Sequence, residues 1–274
     1  MGWIKWTNGK LTERDVMMDN GLKRVRYEKS PLIEVIFQLR FPTILSINSN
    51  QPVAFQERIR ERYPFFEQQV EEQGDILYNP QIKATTLRKT GENKNYAFIT
   101  EDNQTKINLT PSFIAISTMA YTQWEEFRKH IEYVIPVFEE EYKPSFYTRV
   151  GLRYTDVITR SVLGLGDKPW TELMKPHVLG MITSDHEVGV KSYLSETEYE
   201  TKVEGALSKA HFEFVHVNEQ PELSLLIDCD YFALGITKTD TMNAVAEKLH
   251  DASSQFIQTA ITQELHEAMQ PVEI

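Results

Sequence analysis

Two short runs carry side chains able to hold a metal ion or move protons. His211 and Glu213 alternate along one face of a predicted strand, with His216 and Glu219 close behind. An imidazole and a carboxylate at that spacing supply two ligands for a divalent cation, whereas a complete site needs three or four with partners behind them. Asp228 and Asp230 flank Cys229 and share one side of the next strand. Paired carboxylates bind hard cations or exchange protons. No Glu-x-Lys pair follows them, and Glu204 and Lys209 lack that spacing. A metal-dependent hydrolase or nuclease built on His211, Glu213, Asp228 and Asp230 is therefore one alternative, and a solvated strand face is the other.

The second set is cationic. Arg40 and Arg153, with Arg149 beside the latter, project from the strand face opposite the apolar one, together with Gln38, Gly151 and Thr155. Guanidinium offers parallel donors that fit a carboxylate or a phosphate. These arginines are candidate ligands for a small anion or for a partner's carboxylates, unless each is spent on an acid such as Glu34. Several common catalytic cues are missing. The P-loop pattern and Gly-x-Ser-x-Gly are absent, and Gly164 and Gly166 form only a loop Gly-x-Gly. Cys229, set between two acids and an apolar run, reads as an inert thiol.

The elements that must position these groups are legible from periodicity. Ile33, Val35, Phe37, Leu39 and Phe41 alternate with polar residues and predict a strand over 32–41. A helix follows from about Asn50, with Pro52 in its first turn and Phe55, Ile59 and Tyr63 on one stripe. Strands are expected at 96–100, 106–109 and 113–118. Thr122 and Glu125 have capping-box spacing, opening a helix striped by Trp124, Phe127, Ile131, Val134, Ile135, Phe138 and Tyr142 that Pro136 should kink. Phe146 to Ile158 is again a strand, Pro169 opens a short helix with Trp170, Leu173 and Met174, and residues 187–235 read as strands. One long helix from about Thr241, carrying Met242, Val245, Leu249, Phe256, Ala260 and Leu265, closes the chain.

The closing helix matches the earlier one at an offset of about 118 residues without a gap. Trp124 falls on Met242, Ile131 on Leu249 and Phe138 on Phe256, while Ile114-Ala115-Ile116 lies over Phe232-Ala233-Leu234. The first strands match as Leu39-Arg40-Phe41 over Leu152-Arg153-Tyr154, which makes Arg40 and Arg153 equivalents. We therefore expect an α+β fold of two similar halves, 30–145 and 146–274, behind an extension over 1–29 anchored by Trp3 and Trp6. Each half runs strand, helix, antiparallel strands, long helix, with helices on one sheet face. Whether the two sheets join edge to edge or face each other is open.

Composition narrows the partners. Acids outnumber bases 40 to 29, a formal charge of -11, which argues against a general phosphate-backbone binder. The single cysteine excludes an internal disulfide and suits a reducing cytosol. The first ten residues lack a secretory pattern, and no apolar run is long enough to span a membrane.

Ser30-Pro31-Leu32-Ile33-Glu34-Val35-Ile36-Phe37-Gln38-Leu39-Arg40-Phe41 and Arg149-Val150-Gly151-Leu152-Arg153-Tyr154 resemble the two hallmark segments of a sporadically distributed bacterial family of about this length. Trp170, Leu173, Pro176 and Leu179-Gly180 look like its next landmark. The resemblance implies a bacterial or phage-related source and patchy inheritance, and it supplies no catalytic residue. The leading expectation is a non-enzymatic binding module: a sensor, adaptor or chaperone-like subunit of a bacterial accessory system, antiviral defence included. It would need no cofactor and would work with another protein subunit or a second copy of itself. The third reading is a receptor for a small anionic ligand, with a pocket between the halves and Arg40 and Arg153 as its donors.

Overall fold

Alternating apolar residues build the centre of the molecule. The computed structural model describes residues 25–79, 84–182 and 189–273. The first part runs β1 (Val25–Tyr27), β2 (Leu32–Arg40), α1 (Leu45–Ser49), α2 (Val53–Ile59), β3 (Phe65–Asn79), β4 (Ala84–Ile99), β5 (Thr105–Leu109), β6 (Phe113–Thr118) and α3 (Trp124–Tyr142). The second runs β7 (Tyr147–Ile158), α4 (Trp170–Leu173), α5 (Pro176–Leu179), β8 (Leu194–Glu200), β9 (Leu207–His216), β10 (Leu223–Thr237), α6 (Met242–Ala260), α7 (Gln263–Ala268) and β11 (Pro271–Glu273).

Nine strands form one antiparallel sheet in the order β3-β4-β5-β6-β2-β7-β10-β9-β8, and β1 pairs with β11 in a separate ribbon. The two parts therefore meet edge to edge at β2 and β7, where Phe37 lies opposite Leu152 and Gln38 opposite Gly151. Val35, Phe37 and Leu39 of β2, Val150 and Leu152 of β7, and Ile114 and Ile116 of β6 are fully buried on one face. Each such side chain contributes about 1.5–3 kcal/mol of apolar burial. The helices cover that face in one continuous core. Trp124 of α3 stacks on His250 of α6 with ring centroids 4.8 Å apart, which joins the two long helices.

Several expectations change. Ile33 is exposed, because the β2–β7 register slips between Leu32 and Glu34 and the bulge takes it out of the alternation. Thr122 does not cap α3: the N-cap is Gln123, without a side-chain cap bond, so no capping box forms. Pro136 lies inside α3, as expected. The closing helix is two helices. Ile261 makes a β-bridge to Met174, and Thr262 caps α7 by accepting from Leu265 N, so the chain turns where an uninterrupted stripe was expected. The long polar strand β3 carries no apolar alternation and is absent from the expected elements. Within the expected extension, Val25–Tyr27 is a strand of the body, whereas Trp3 and Trp6 lie outside the described residues.

The gap-free 118-residue match also fails at the sheet. Ile114 and Ile116 face the helices, but Phe232 pairs across from Gly151 on the opposite face, and Tyr231 is the core residue. The β10 register against β7 slips between Leu234 and Thr237, which inserts one residue before α6.

Candidate functional site

A cavity of about 510 Å³ lies between the helix-covered face of β7 and β10 and the underside of α6. Tyr154 and Asp156 of β7 and Ile227 and Cys229 of β10 form its floor, and His250 and Ser253 line the α6 side. The stretch leading into α3, from Tyr121 to Trp124, makes one wall, and β1 makes another. Small side chains on α6, Ser253 and Ser254, leave the space that larger residues would fill.

Asp156 is the anomaly in this wall. It occupies the core-facing phase of β7, in step with Val150, Leu152, Tyr154 and Ile158, where a strand of this kind places apolar residues. Its register partners are Leu32 and Ile227, neither of which is polar. Among the described residues its carboxyl makes no hydrogen bond and no ion pair within 4.0 Å, and the residue is partly buried against the cavity. Loss of solvent pushes its pKa from 3.8 up to about 7.

The surrounding polar groups are tied to each other instead. Tyr154 and His250 share a hydrogen bond at 3.1 Å through the ring Nδ1. Trp124 donates from Nε1 to Glu247 at 2.9 Å, and Arg128 donates to the other oxygen of that carboxylate. Tyr27 hydrogen-bonds His266 Nδ1 at 2.9 Å, and burial followed by the nearby Asp156 pushes its phenol up to about 12. Burial likewise raises the Tyr154 and Tyr231 phenols and the Cys229 thiol, so each stays neutral at ordinary pH. Asp156 is thus the ionisable group of the floor that titrates near neutrality.

The residues singled out from sequence lie on the other face of the sheet. Arg149 donates from Nη2 to both oxygens of Asp230 at 2.7 and 2.6 Å, and its guanidinium lies 4.7 Å over the Phe232 ring. Gly151 makes that path possible: a Cβ there would sit 2.0 Å from Arg149 Nη1. Arg153 donates from Nε to Asp228 at 2.6 Å and pairs with it again through Nη2. Arg40 is exposed and donates to its own strand's Gln38 at 3.0 Å. The acids that hold Arg149 and Arg153 are Asp230 and Asp228, so the proposed anion donors and the proposed metal ligands neutralise one another. His211 stands opposite Asp228 and contacts Glu213 at 3.2 Å. Among the described residues no three His, Cys, Asp or Glu side chains are grouped to hold a metal ion.

No family model matches the chain, and no curated protein matches it. Among solved structures, the di-domain ARO/CYC StfQ from the steffimycin biosynthetic pathway aligns over 82% of this chain and 96% of its own at 8% identity, with a TM-score of 0.17. That score carries no argument for a shared fold or ligand.

Proposed function

We propose that this protein is a binding module whose site is the cavity beneath α6, and that it takes up a small organic molecule without transforming it. The observation that carries the reading is Asp156, a partly buried carboxyl without a hydrogen bond or ion pair among the described residues, on the wall of a largely apolar cavity. A buried polar group without a partner is costly, and such groups persist where a ligand or ordered water completes them. The cavity volume falls in the range of small-molecule sites, which combine apolar walls with a few placed polar groups. A sensor or adaptor role in a bacterial accessory system fits a protein that reports occupancy of such a site, either to a partner subunit or to a second copy of itself.

The order of strands supports a duplicated origin for the scaffold. On each side of the β2–β7 seam the sequence-first strand is followed outward by the strand that feeds the long helix, then by the strand before it. One inserted residue in β10 reconciles the strand and helix offsets.

A second reading is favoured by one observation. A carboxyl titrating near 7 suits general acid–base work, so Asp156 could be the proton carrier of a small-molecule enzyme. Against it, the neighbouring thiol and phenols are held neutral, and among the described residues no nucleophile is hydrogen-bonded to Asp156. Titration with the neutral fluorophore N-phenyl-1-naphthylamine tests the binding reading. It should bind saturably at one per chain and lose binding when Ser253→Phe fills the cavity, with the melting profile of the variant showing a folded protein. Equal binding by both proteins removes the cavity as the site.

A further inference from the structure

We propose that the ligand of this cavity is a cation: a molecule with one ammonium nitrogen on an apolar or aromatic body, its charge seated against Asp156. The inference rests on the reading of the cavity as a binding site and adds the chemistry of what enters it.

Three features of the wall point the same way. The first is the carboxylate itself, which offers two acceptor oxygens to a ligand N–H and has no hydrogen bond or ion pair among the described residues. The second is the set of aromatic rings around it. Tyr27, Tyr121, Trp124, Tyr154 and Tyr231 all line the cavity, and Tyr121 meets Tyr154 edge-on with centroids 5.8 Å apart. Ring faces carry negative quadrupole potential and attract a desolvated cation. The third is the distribution of charge. Arg26 and Glu28, which flank Tyr27, are exposed at the rim, so among the described residues no lysine or arginine side chain is placed to neutralise Asp156 from within. An acidic protein, -11 overall, also draws cations toward its clefts.

A single carboxylate among neutral phenols matches a single positive charge. A carboxylate or phosphate ligand would place like charge beside Asp156 in an enclosed space, or force it to take up a proton. On the open face Arg149 and Arg153 are already paired with acids, which leaves Arg40, hydrogen-bonded to Gln38, as the one of the three without a carboxylate partner among the described residues. Binding of the cation ionises Asp156, so affinity should rise as pH rises past 7. The charged and titratable groups facing Asp156 are Tyr27 on β1, Tyr154 on β7, Cys229 and Tyr231 on β10, and His250 on α6, with Arg26 and Glu28 at the rim. Histidine's ordinary titration range overlaps this window, so an Asp156→Asn control is needed to isolate the carboxyl.

Calorimetric titration of the whole chain with three matched probes tests the proposal: tryptamine as the cation, tryptophol as the neutral analogue and indole-3-propionate as the anion. Tryptamine should bind one per chain, at least tenfold tighter than tryptophol at pH 8, with indole-3-propionate weakest. Its affinity should fall roughly tenfold between pH 8 and pH 6 as Asp156 takes up its proton. Asp156→Asn should reduce tryptamine to the level of tryptophol and remove that pH dependence. If tryptophol or indole-3-propionate binds as tightly as tryptamine, the cation assignment is wrong and the binding site stands. If no probe binds while N-phenyl-1-naphthylamine does, the assignment again falls alone. If the fluorophore fails as well, the cavity reading falls with it.

Discussion

Replacing Asp156 by Asn should stabilise the protein, and more so as pH rises. In the folded chain the carboxyl holds its proton up to about pH 7, whereas its ordinary value is 3.8. Between those limits the native state binds more protons than the unfolded chain, so stability falls as pH rises through the window and levels off above it. A shift of this size corresponds to about 4 kcal/mol between the low-pH and high-pH limits. Part of that is lost below pH 5, and the residue's partial exposure lets solvent screen the charge. The portion expected between pH 5 and pH 8 is therefore roughly 1–3 kcal/mol. The amide introduced by Asp156→Asn carries no charge in either state and lacks this dependence. Urea unfolding of both proteins at pH 5 and pH 8 isolates it, because any packing effect of the amide is the same at both pH values and cancels. The variant should gain on the wild type by that amount at the higher pH. A stability difference that does not change with pH would refute the claim that burial against the cavity raises the Asp156 pKa.

Two further outcomes follow from the sheet. Gly151→Ala should cost about 1–3 kcal/mol in urea unfolding, because its Cβ displaces Arg149 from Asp230 and Phe232. In an Arg149→Met background the same change should be neutral or slightly stabilising, and additive costs in the double-mutant cycle would show that Arg149 does not take this path. Cys229, with its thiol pKa raised by burial, should resist Ellman's reagent in the native protein and react at once in urea. Rapid reaction of the folded chain would contradict its placement on the cavity floor.

The sheet is readable because its central strands alternate cleanly. Phe37 and Leu39 against Gln38 and Arg40 specify both the strand and its faces, and the helical stripes of α3 and α6 name their buried sides. The long polar hairpin strand β3 and the break after Ala260 are not readable. β3 has no apolar phase, and the break depends on a bridge from Ile261 to Met174, far away in sequence. The arginines fall on the expected face, but their cross-strand acids are hidden, since pairing requires the β7–β10 register. The cavity leaves one sign in the sequence. Once Val150, Leu152 and Tyr154 are assigned to the core, Asp156 falls in the same phase, and a lone acid in an apolar phase demands either a partner or a purpose. The emptiness beside it comes from Ser253 and Ser254 on a helix much later in the chain, which no local pattern reports.

The most direct test is native mass spectrometry of the protein isolated from the cells that make it, compared with the Ser253→Phe variant isolated in the same way. A bound small molecule, one per chain, released on denaturation and missing from the variant, is the result this account predicts. A wild-type chain that flies at its bare mass, or the same adduct on both proteins, would contradict it.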